Sequence, residues 1–221
     1  MSSEEEEGSE YSYGYQEEEE EDEEEDVLWI DSLIEETNGF LLRVPAEFIE
    51  SWFNSQNLPI PRDKFDPARS LLLRGHASDR QRSPVVELYA IRLFLIYHQR
   101  YIRERVGLRE MFGPVADAKY GRCPRVCCQD APLIPTGSSN VFGTSKVMLY
   151  CPCCRDLYHP ADETLACLDG AAFGVGYGEF LYAHFQEELE SEMAPRRVFS
   201  PNIYGFGLDP RLCRLPRFSA L

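Results

Sequence analysis

The chain has 221 residues, 43% of them hydrophobic, and a formal net charge of -16. Fifteen of its 38 acidic residues lie between Glu4 and Asp26, which leaves 23 acidic residues against 22 Lys and Arg elsewhere. The sequence contains no apolar run near the roughly 18 residues that span a bilayer, and no secretory signal at its start. We therefore expect neither a membrane-spanning nor a secreted protein, but one in a reducing compartment, the cytoplasm and nucleus.

Residues 1–26 are predicted to form a disordered acidic arm. The run from Glu17 to Asp26 repels itself and cannot bury apolar surface. The arm is suited to binding basic partners or to masking a basic surface, and a purely solubilising tail explains the same composition.

Residues 27–112 are predicted to form an all-α lobe, because apolar residues recur there at helical spacing. The expected helices run from Val27 to a stop at Asn38-Gly39, from Pro45 with Phe48, Ile49, Trp52 and Phe53 on one face, from Asp66-Pro67 to Gly75, and from Ser83-Pro84 to Gly107. The fourth helix is apolar around most of its middle, so we expect it to be central and buried, with His98 as a hydrogen-bonded core histidine.

Basic residues are concentrated in the loop from Arg74 to Arg82. A solvated positive face explains them, and a docking site for the acidic arm, or for another acidic partner, is the sharper alternative.

Residues 113–190 have a different character, with Pro, Gly and Cys clustered and short β-like runs such as Val147 to Tyr150. We predict a small lobe that needs a covalent or metal staple. The fold class is therefore α+β: a helical lobe, then a small zinc-ribbon-like β lobe, then an extended C-terminal tail over residues 191–221.

Two short-loop cysteine groups separated by about 20 residues predict a tetrahedral zinc site that is structural. The candidate ligands are Cys123, Cys127, Cys128, Cys151, Cys153 and Cys154. The spacing favours Cys123 with Cys128 and Cys151 with Cys154, since a two-residue gap is the commonest. Three alternatives stay open: Cys127 is one of the ligands, His159 replaces a cysteine, or the thiols are buried without a metal.

The sequence offers little for catalysis. Gly174, Gly176 and Gly178 have no accompanying Walker lysine, so tight turns explain them better than a phosphate loop. Protein-kinase motifs are absent and the four histidines pair with no nucleophile, so we expect a binding or scaffolding protein rather than an enzyme.

With these motifs in view, the chain resembles the regulatory beta subunits of casein kinase II. The resemblance rests on residues 119–128 (KYGRCPRVCC), 149–160 (LYCPCCRDLYHP), 169–174 (DGAAFG) and 202–210 (NIYGFGLDP). It implies a non-catalytic subunit that forms a homodimer through the zinc lobe and recruits two catalytic alpha subunits. It also favours Cys123, Cys128, Cys151 and Cys154 as the zinc ligands.

The segment from Ile203 to Leu208 is implied to bind the catalytic subunit, with Tyr204 and Phe206 as aromatic anchors. In an extended strand, Tyr204, Phe206 and Leu208 would share one face, and such aromatic side chains often dominate interfaces. Closure of the chain's own core by these residues is the alternative.

The chain departs from the family pattern in several places. The basic segment from Arg74 to Arg82 replaces an acidic one linked to polyamine binding, and Cys127 and Cys153 are extra thiols. Ser2 and Ser3 precede Glu5 and Glu6 at the spacing this acidophilic kinase favours, which predicts autophosphorylation. The competing hypothesis is a zinc-ribbon protein of nucleic-acid or transcription complexes, which the acidic arm disfavours because it would repel phosphate.

Overall fold

The computed structural model describes residues 28–75, 83–193 and 202–207. The helices are α1 (Trp29–Glu36), α2 (Ala46–Glu50), α3 (Arg62–Arg74), α4 (Pro84–Tyr101), α5 (Arg105–Ala116), α6 (Glu163–Cys167), α7 (Tyr177–His184) and α8 (Gln186–Glu192). The strands are β1 (Ile134–Thr136), β2 (Met148–Tyr150), β3 (Leu157–Tyr158), β4 (Asn202–Ile203) and β5 (Phe206–Gly207). The predicted acidic arm lies outside the described residues, as do most of the predicted basic loop and most of the C-terminal tail.

Helix α4 is the centre of the helical part, as its sequence predicts. Leu93, Phe94 and Tyr97 are fully buried, and α3 packs along the helix. Helix α1 also ends as predicted, because Asn38 and Gly39 adopt positive φ values of 52° and 63° that a helix cannot continue. No helix within the described ranges is long and apolar enough to cross a membrane.

Two predicted helix boundaries were wrong. Helix α3 begins at Arg62 after Pro61, not at Asp66-Pro67, and it carries Pro67 inside it. Helix α4 ends at Tyr101, while Gly107, predicted to stop it, lies inside α5. A Cβ atom at Gly107 would collide with the backbone carbonyl of Tyr101, so this glycine permits close packing of two consecutive helices. The predicted lobe boundary at residues 112–113 also falls inside α5, and the division into lobes stays a prediction.

The face predicted for the second helix is also incomplete. Ile49 is buried, but Trp52 and Phe53 are each 76% exposed. Helix α2 ends at Glu50 and Ser51 is extended. Phe53 therefore begins a separate 3-10 turn and does not continue the face of α2 that carries Ile49. Arg100 of α4 donates hydrogen bonds to the carbonyl oxygens of Asn54 and Gln56 and so fixes this turn.

The small β part contains a three-stranded antiparallel sheet in the order β1-β2-β3. Ile134 pairs with Tyr150 across the first ladder, and Leu149 pairs with Tyr158 across the second. The predicted strand from Val147 to Tyr150 is confirmed as β2. The core is continuous between the helices and the sheet and includes Leu93 and Phe94 of α4 together with Ile134 and Leu149.

The end of α4 binds the turn at Ala171–Phe173. His98 Nδ1 lies 2.9 Å from the Ala172 oxygen, and Gln99 Nε2 donates to the Ala171 oxygen at 2.8 Å. Arg103 Nη1 donates to the Phe173 oxygen at 2.7 Å. The other ring nitrogen of His98, Nε2, accepts the Leu42 N–H at 3.1 Å. The imidazole is therefore neutral and doubly hydrogen-bonded, which confirms the prediction of a core histidine.

Candidate metal centre and exposed hairpin

The first cysteine loop connects Cys123 to Cys128. The Cys123 N–H donates to the Ala131 oxygen at 2.8 Å, and a 3-10 turn over Val126–Cys128 brings the second thiol back. Gln129 and Asp130 follow with positive φ values of 49° and 60°, which reverse the chain toward β1. The backbone thus folds into a tight knuckle that carries both thiols on its inner side.

The second cysteine loop follows β2 directly. The Cys151 N–H donates to the Asp156 oxygen at 3.0 Å, and the Arg155 N–H returns to the Cys151 oxygen at 2.8 Å. Arg155 has a φ of 59°, so the chain turns sharply and enters β3. Because β1, β2 and β3 form one sheet, the two knuckles are held at fixed positions relative to each other.

Four sulfur atoms meet between the knuckles. The Sγ atoms of Cys123, Cys128, Cys151 and Cys154 all lie within 4.8 Å of one another, and those of Cys123 and Cys154 are 3.9 Å apart. Tetrahedral zinc with Zn–S bonds of about 2.3 Å separates its sulfur ligands by about 3.8 Å. These are the four cysteines that the sequence analysis preferred, and their spacing fits a metal ion with little movement.

The donor set also fits one class of metal. Four thiols with no carboxylate favour soft or borderline cations such as zinc over magnesium or calcium, which require oxygen ligands. Cys123, Cys128 and Cys151 are buried and Cys154 is half-buried. A metal ion held by four protein ligands would have no open position for a substrate, which is typical of structural sites.

Burial and hydrogen bonding act in opposite directions on these thiols. Burial raises the pKa of Cys128, and it raises the pKa of Cys151 to about 12. Burial also opposes ionisation of Cys154, but hydrogen bonds from the Tyr158 hydroxyl and the Asp156 backbone prevail and lower its pKa to about 7. In the absence of a cation, Cys128 and Cys151 thus remain protonated at neutral pH, and metal binding must displace their protons.

The remaining predicted site residues lie around the cluster. Cys127 and Cys153 are both half-buried and lie next to ligands in sequence, and Cys153 packs against the core. His159 is exposed just after β3, as expected for a residue that does not replace a cysteine. Cys167 lies outside both knuckles and is exposed at the end of α6.

Two of the three glycines of the glycine-rich segment lie in turns, as the sequence predicts, and the third does not. Gly174 and Gly176 adopt positive φ values of 80° and 70° before α7 begins. Gly178 lies inside α7 and packs closely against Tyr150.

The segment with the aromatic anchors is a hairpin, not the single extended strand predicted. Ile203 pairs with Phe206 across β4 and β5, and Tyr204 and Gly205 form the turn with φ values of 51° and 85°. Positive φ at both central residues defines the two-residue turn that suits the twist of a hairpin. The chain therefore reverses direction at Tyr204 and Gly205. Tyr204 lies in the turn and Phe206 in β5, so the two residues do not share one face of a single strand as predicted.

The hairpin exposes its apolar side chains. Tyr204 is 97% exposed at the tip, Phe206 is 78% exposed, and Ile203 is 55% exposed beside Phe206. Closure of the chain's own core, the alternative considered for these residues, is wrong for these three. Leu208, the fourth predicted contact, lies outside the described residues.

A pair of charged side chains that sequence analysis missed joins the two knuckles. Arg125 Nη2 contacts Asp156 Oδ2 at 2.7 Å. The residues that follow each partner, Val126 and Leu157, are apolar and exposed. A surface with apolar residues next to an ion pair thus lies directly beside the metal cluster. The spacing in the sequence gave no signal for this pair, because its partners are 31 residues apart.

Comparison with known proteins agrees with this architecture. The sequence profile of the casein kinase II regulatory subunit family matches residues 28–207. Casein kinase II subunit beta of Schizosaccharomyces pombe is 32% identical over 181 residues, 80% of this chain and 78% of that protein. Subunit beta-2 of the same yeast is 33% identical over 171 residues, 76% and 67% of the two chains.

An animal protein shows the same level of similarity. Casein kinase II subunit beta' of Drosophila melanogaster is 32% identical over 183 residues, 80% of this chain and 81% of that protein. The matched range includes both knuckles and the exposed hairpin. The chain therefore belongs to the family of casein kinase II regulatory subunits, the non-catalytic subunits of that protein kinase.

Proposed function

We propose that this chain forms a zinc-stabilised homodimer that binds two casein kinase II catalytic alpha subunits, stabilises them and modulates their choice of substrates. The observation that carries the proposal is the exposed hairpin, which presents Tyr204 and Phe206 to solvent. Large aromatic side chains on a surface lose water-exposed apolar area only when a partner covers them, which makes them strong interface anchors.

The geometry of the hairpin indicates how it binds. Ile203 and Phe206 are direct cross-strand neighbours, so their side chains lie on the same face and form one apolar contact. Tyr204 extends this contact from the turn, where its left-handed backbone orients it away from the strands. We propose that Ile203, Tyr204 and Phe206, together with Leu208, fill an apolar depression on the catalytic subunit.

Co-purification with a casein kinase II catalytic subunit tests this proposal. We expect Tyr204→Ala/Phe206→Ala to reduce recovery of the catalytic subunit at least tenfold, since hot-spot truncations cost about 2 kcal/mol or more each. The matched control is Trp52→Ala/Phe53→Ala, which removes a comparably exposed aromatic pair from another surface. Equal recovery with all three proteins would refute the role of the hairpin.

The metal cluster supports the second part of the proposal, dimerisation. Zinc binding would supply folding free energy to a small sheet with three short strands, on the order of 10 kcal/mol in isolated zinc domains. Exposed Val126 and Leu157 lie beside the cluster and provide apolar surface that a second copy can cover. We propose that zinc fixes this surface and that two copies pair through it.

Metal analysis combined with sedimentation tests the zinc-dependent dimer. Cys151→Ser should lose one zinc per chain and the dimer together, because Cys151 is fully buried in the cluster. Val126→Glu should retain zinc but sediment as a monomer, since it places a charge on the proposed contact. Cys167→Ser, an exposed thiol outside the cluster, is the control. A zinc-free dimer of Cys151→Ser would contradict the proposal.

Two further parts of the proposal concern regions outside the described residues. We propose that the bound catalytic subunit phosphorylates Ser2 and Ser3, and that the complex works in the cytoplasm and nucleus. Mass spectrometry of the reconstituted complex with ATP should find phosphate on residues 2–12, and absence of phosphate there would refute the proposed phosphorylation. Fluorescence microscopy of the tagged chain tests the second.

A further inference from the structure

The hydroxyl group of Tyr158 contacts two of the four clustered sulfur atoms. It lies 3.2 Å from Cys154 Sγ and 3.7 Å from Cys123 Sγ. The two cysteines belong to different knuckles, and their sulfur atoms are 3.9 Å apart. A single side chain therefore spans one edge of the sulfur tetrahedron.

The sheet determines this position. Tyr158 ends β3 and pairs with Leu149 of β2, and β2 leads directly into Cys151. The ladder thus fixes the tyrosine backbone relative to the second knuckle, and the length of the phenol ring carries the hydroxyl to the sulfur atoms. The side chain is half-buried and packs against the core, which limits its freedom to turn away.

The negative charge of a metal-loaded site explains why a hydrogen-bond donor beside the sulfur atoms is favourable. Four thiolates around a divalent cation carry a net charge of -2 in a partly buried position, so donors directed at sulfur stabilise the loaded state. The phenol has one proton to donate, and Cys154 is its nearer acceptor.

We propose that Tyr158 is a positioning residue of the metal site, whose hydroxyl donates a hydrogen bond to the Cys154 sulfur and keeps the Cys123–Cys154 edge closed around the ion. The inference rests on the proposed metal binding and adds a residue that is not itself a ligand. It gives the tyrosine a role that its neighbour His159, the more obvious metal-binding residue in the sequence, does not have.

Metal retention in the full chain tests the inference. Tyr158→Phe keeps the ring and removes only the hydroxyl, and we expect zinc affinity, measured by chelator competition, to fall 10- to 100-fold. The matched control is Tyr182→Phe in α7. This variant loses a hydroxyl that donates to Glu190 of α8 at 2.6 Å, and it should keep the zinc affinity of the wild type.

A spectroscopic readout separates positioning from general stability. With cobalt(II) in place of zinc, the thiolate-to-cobalt charge-transfer band should move to lower energy in Tyr158→Phe, because a hydrogen bond stabilises the sulfur lone pairs. Tyr182→Phe should not move the band. If Tyr158→Phe fails to fold, the cadmium-113-loaded wild-type chain replaces it, and a coupling between the Tyr158 hydroxyl proton and cadmium is expected.

The outcomes distinguish the two proposals. A wild-type chain that binds neither zinc nor cobalt would refute the metal site itself. A wild-type chain that binds zinc, with unchanged affinity and an unchanged cobalt band in Tyr158→Phe, would overturn the role of Tyr158 and leave the metal site standing. In the cadmium-loaded chain, absence of the coupling would likewise overturn it.

Discussion

Protonation of His98 should destabilise the fold as the pH falls. Burial, aided by the nearby Arg103, lowers the pKa of this imidazole from 6.5 to about 4, although its hydrogen bond with the Ala172 carbonyl acts in the opposite direction. Between these values the unfolded chain binds a proton that the folded chain does not, so stability rises with pH across this window. The contribution is complete above pH 6.5 and is lost progressively toward pH 4.

The magnitude follows from the two pKa values. At pH 5.5 about nine-tenths of the unfolded chains carry this proton, and the folded chain carries almost none. The free energy of unfolding should therefore fall by about 1 kcal/mol between pH 7.5 and pH 5.5 through His98 alone. Below pH 4 the loss approaches about 3 kcal/mol, at roughly 1.4 kcal/mol per pKa unit.

Urea unfolding of wild type and His98→Gln, with zinc present, measures this contribution. Glutamine can donate to the Ala172 oxygen and accept from the Leu42 N–H, but it does not titrate. We expect the variant to lose about 1 kcal/mol less than wild type between the two pH values. His184→Gln, at an exposed histidine, should behave as wild type. An identical pH dependence in wild type and His98→Gln would refute the reasoning.

Two predictions concern packing. Phe173→Ala should cost about 3 to 5 kcal/mol in urea unfolding, because the ring is fully buried, whereas Phe53→Ala, at an exposed ring, should stay within about 0.5 kcal/mol. A cost below about 1 kcal/mol at Phe173 would contradict the continuous core. Gly178→Ala should lower the thermal midpoint and weaken the packing of α7, because its Cβ would lie 2.6 Å from the Tyr150 Cβ. An unchanged midpoint would show that this contact relaxes freely.

Much of the fold could be predicted because local and global signals agree. The apolar circumference of α4 predicts burial, and α4 is indeed the central helix. The short cysteine loops predict two knuckles, and the four preferred thiols lie together. In both cases a short stretch of sequence contains most of the determining interactions.

Predictions failed where the local sequence pattern did not indicate the contact or the backbone conformation that the structure shows. Gly107 looks like a helix stop, but it is a glycine because α5 packs against the Tyr101 carbonyl. Tyr158 has no signature of its own, since its contact with Cys123 depends on how the sheet joins residues 35 positions apart. The turn at Tyr204-Gly205 was missed because a large aromatic residue rarely adopts a left-handed backbone.

We propose that this chain is a zinc-stabilised dimeric subunit that recruits the catalytic subunit of casein kinase II. Native mass spectrometry of the chain co-expressed with a catalytic subunit tests this proposal as a whole. We expect one dominant complex with two copies of each subunit and two zinc ions. A monomeric, metal-free chain that leaves the catalytic subunit unbound would contradict it.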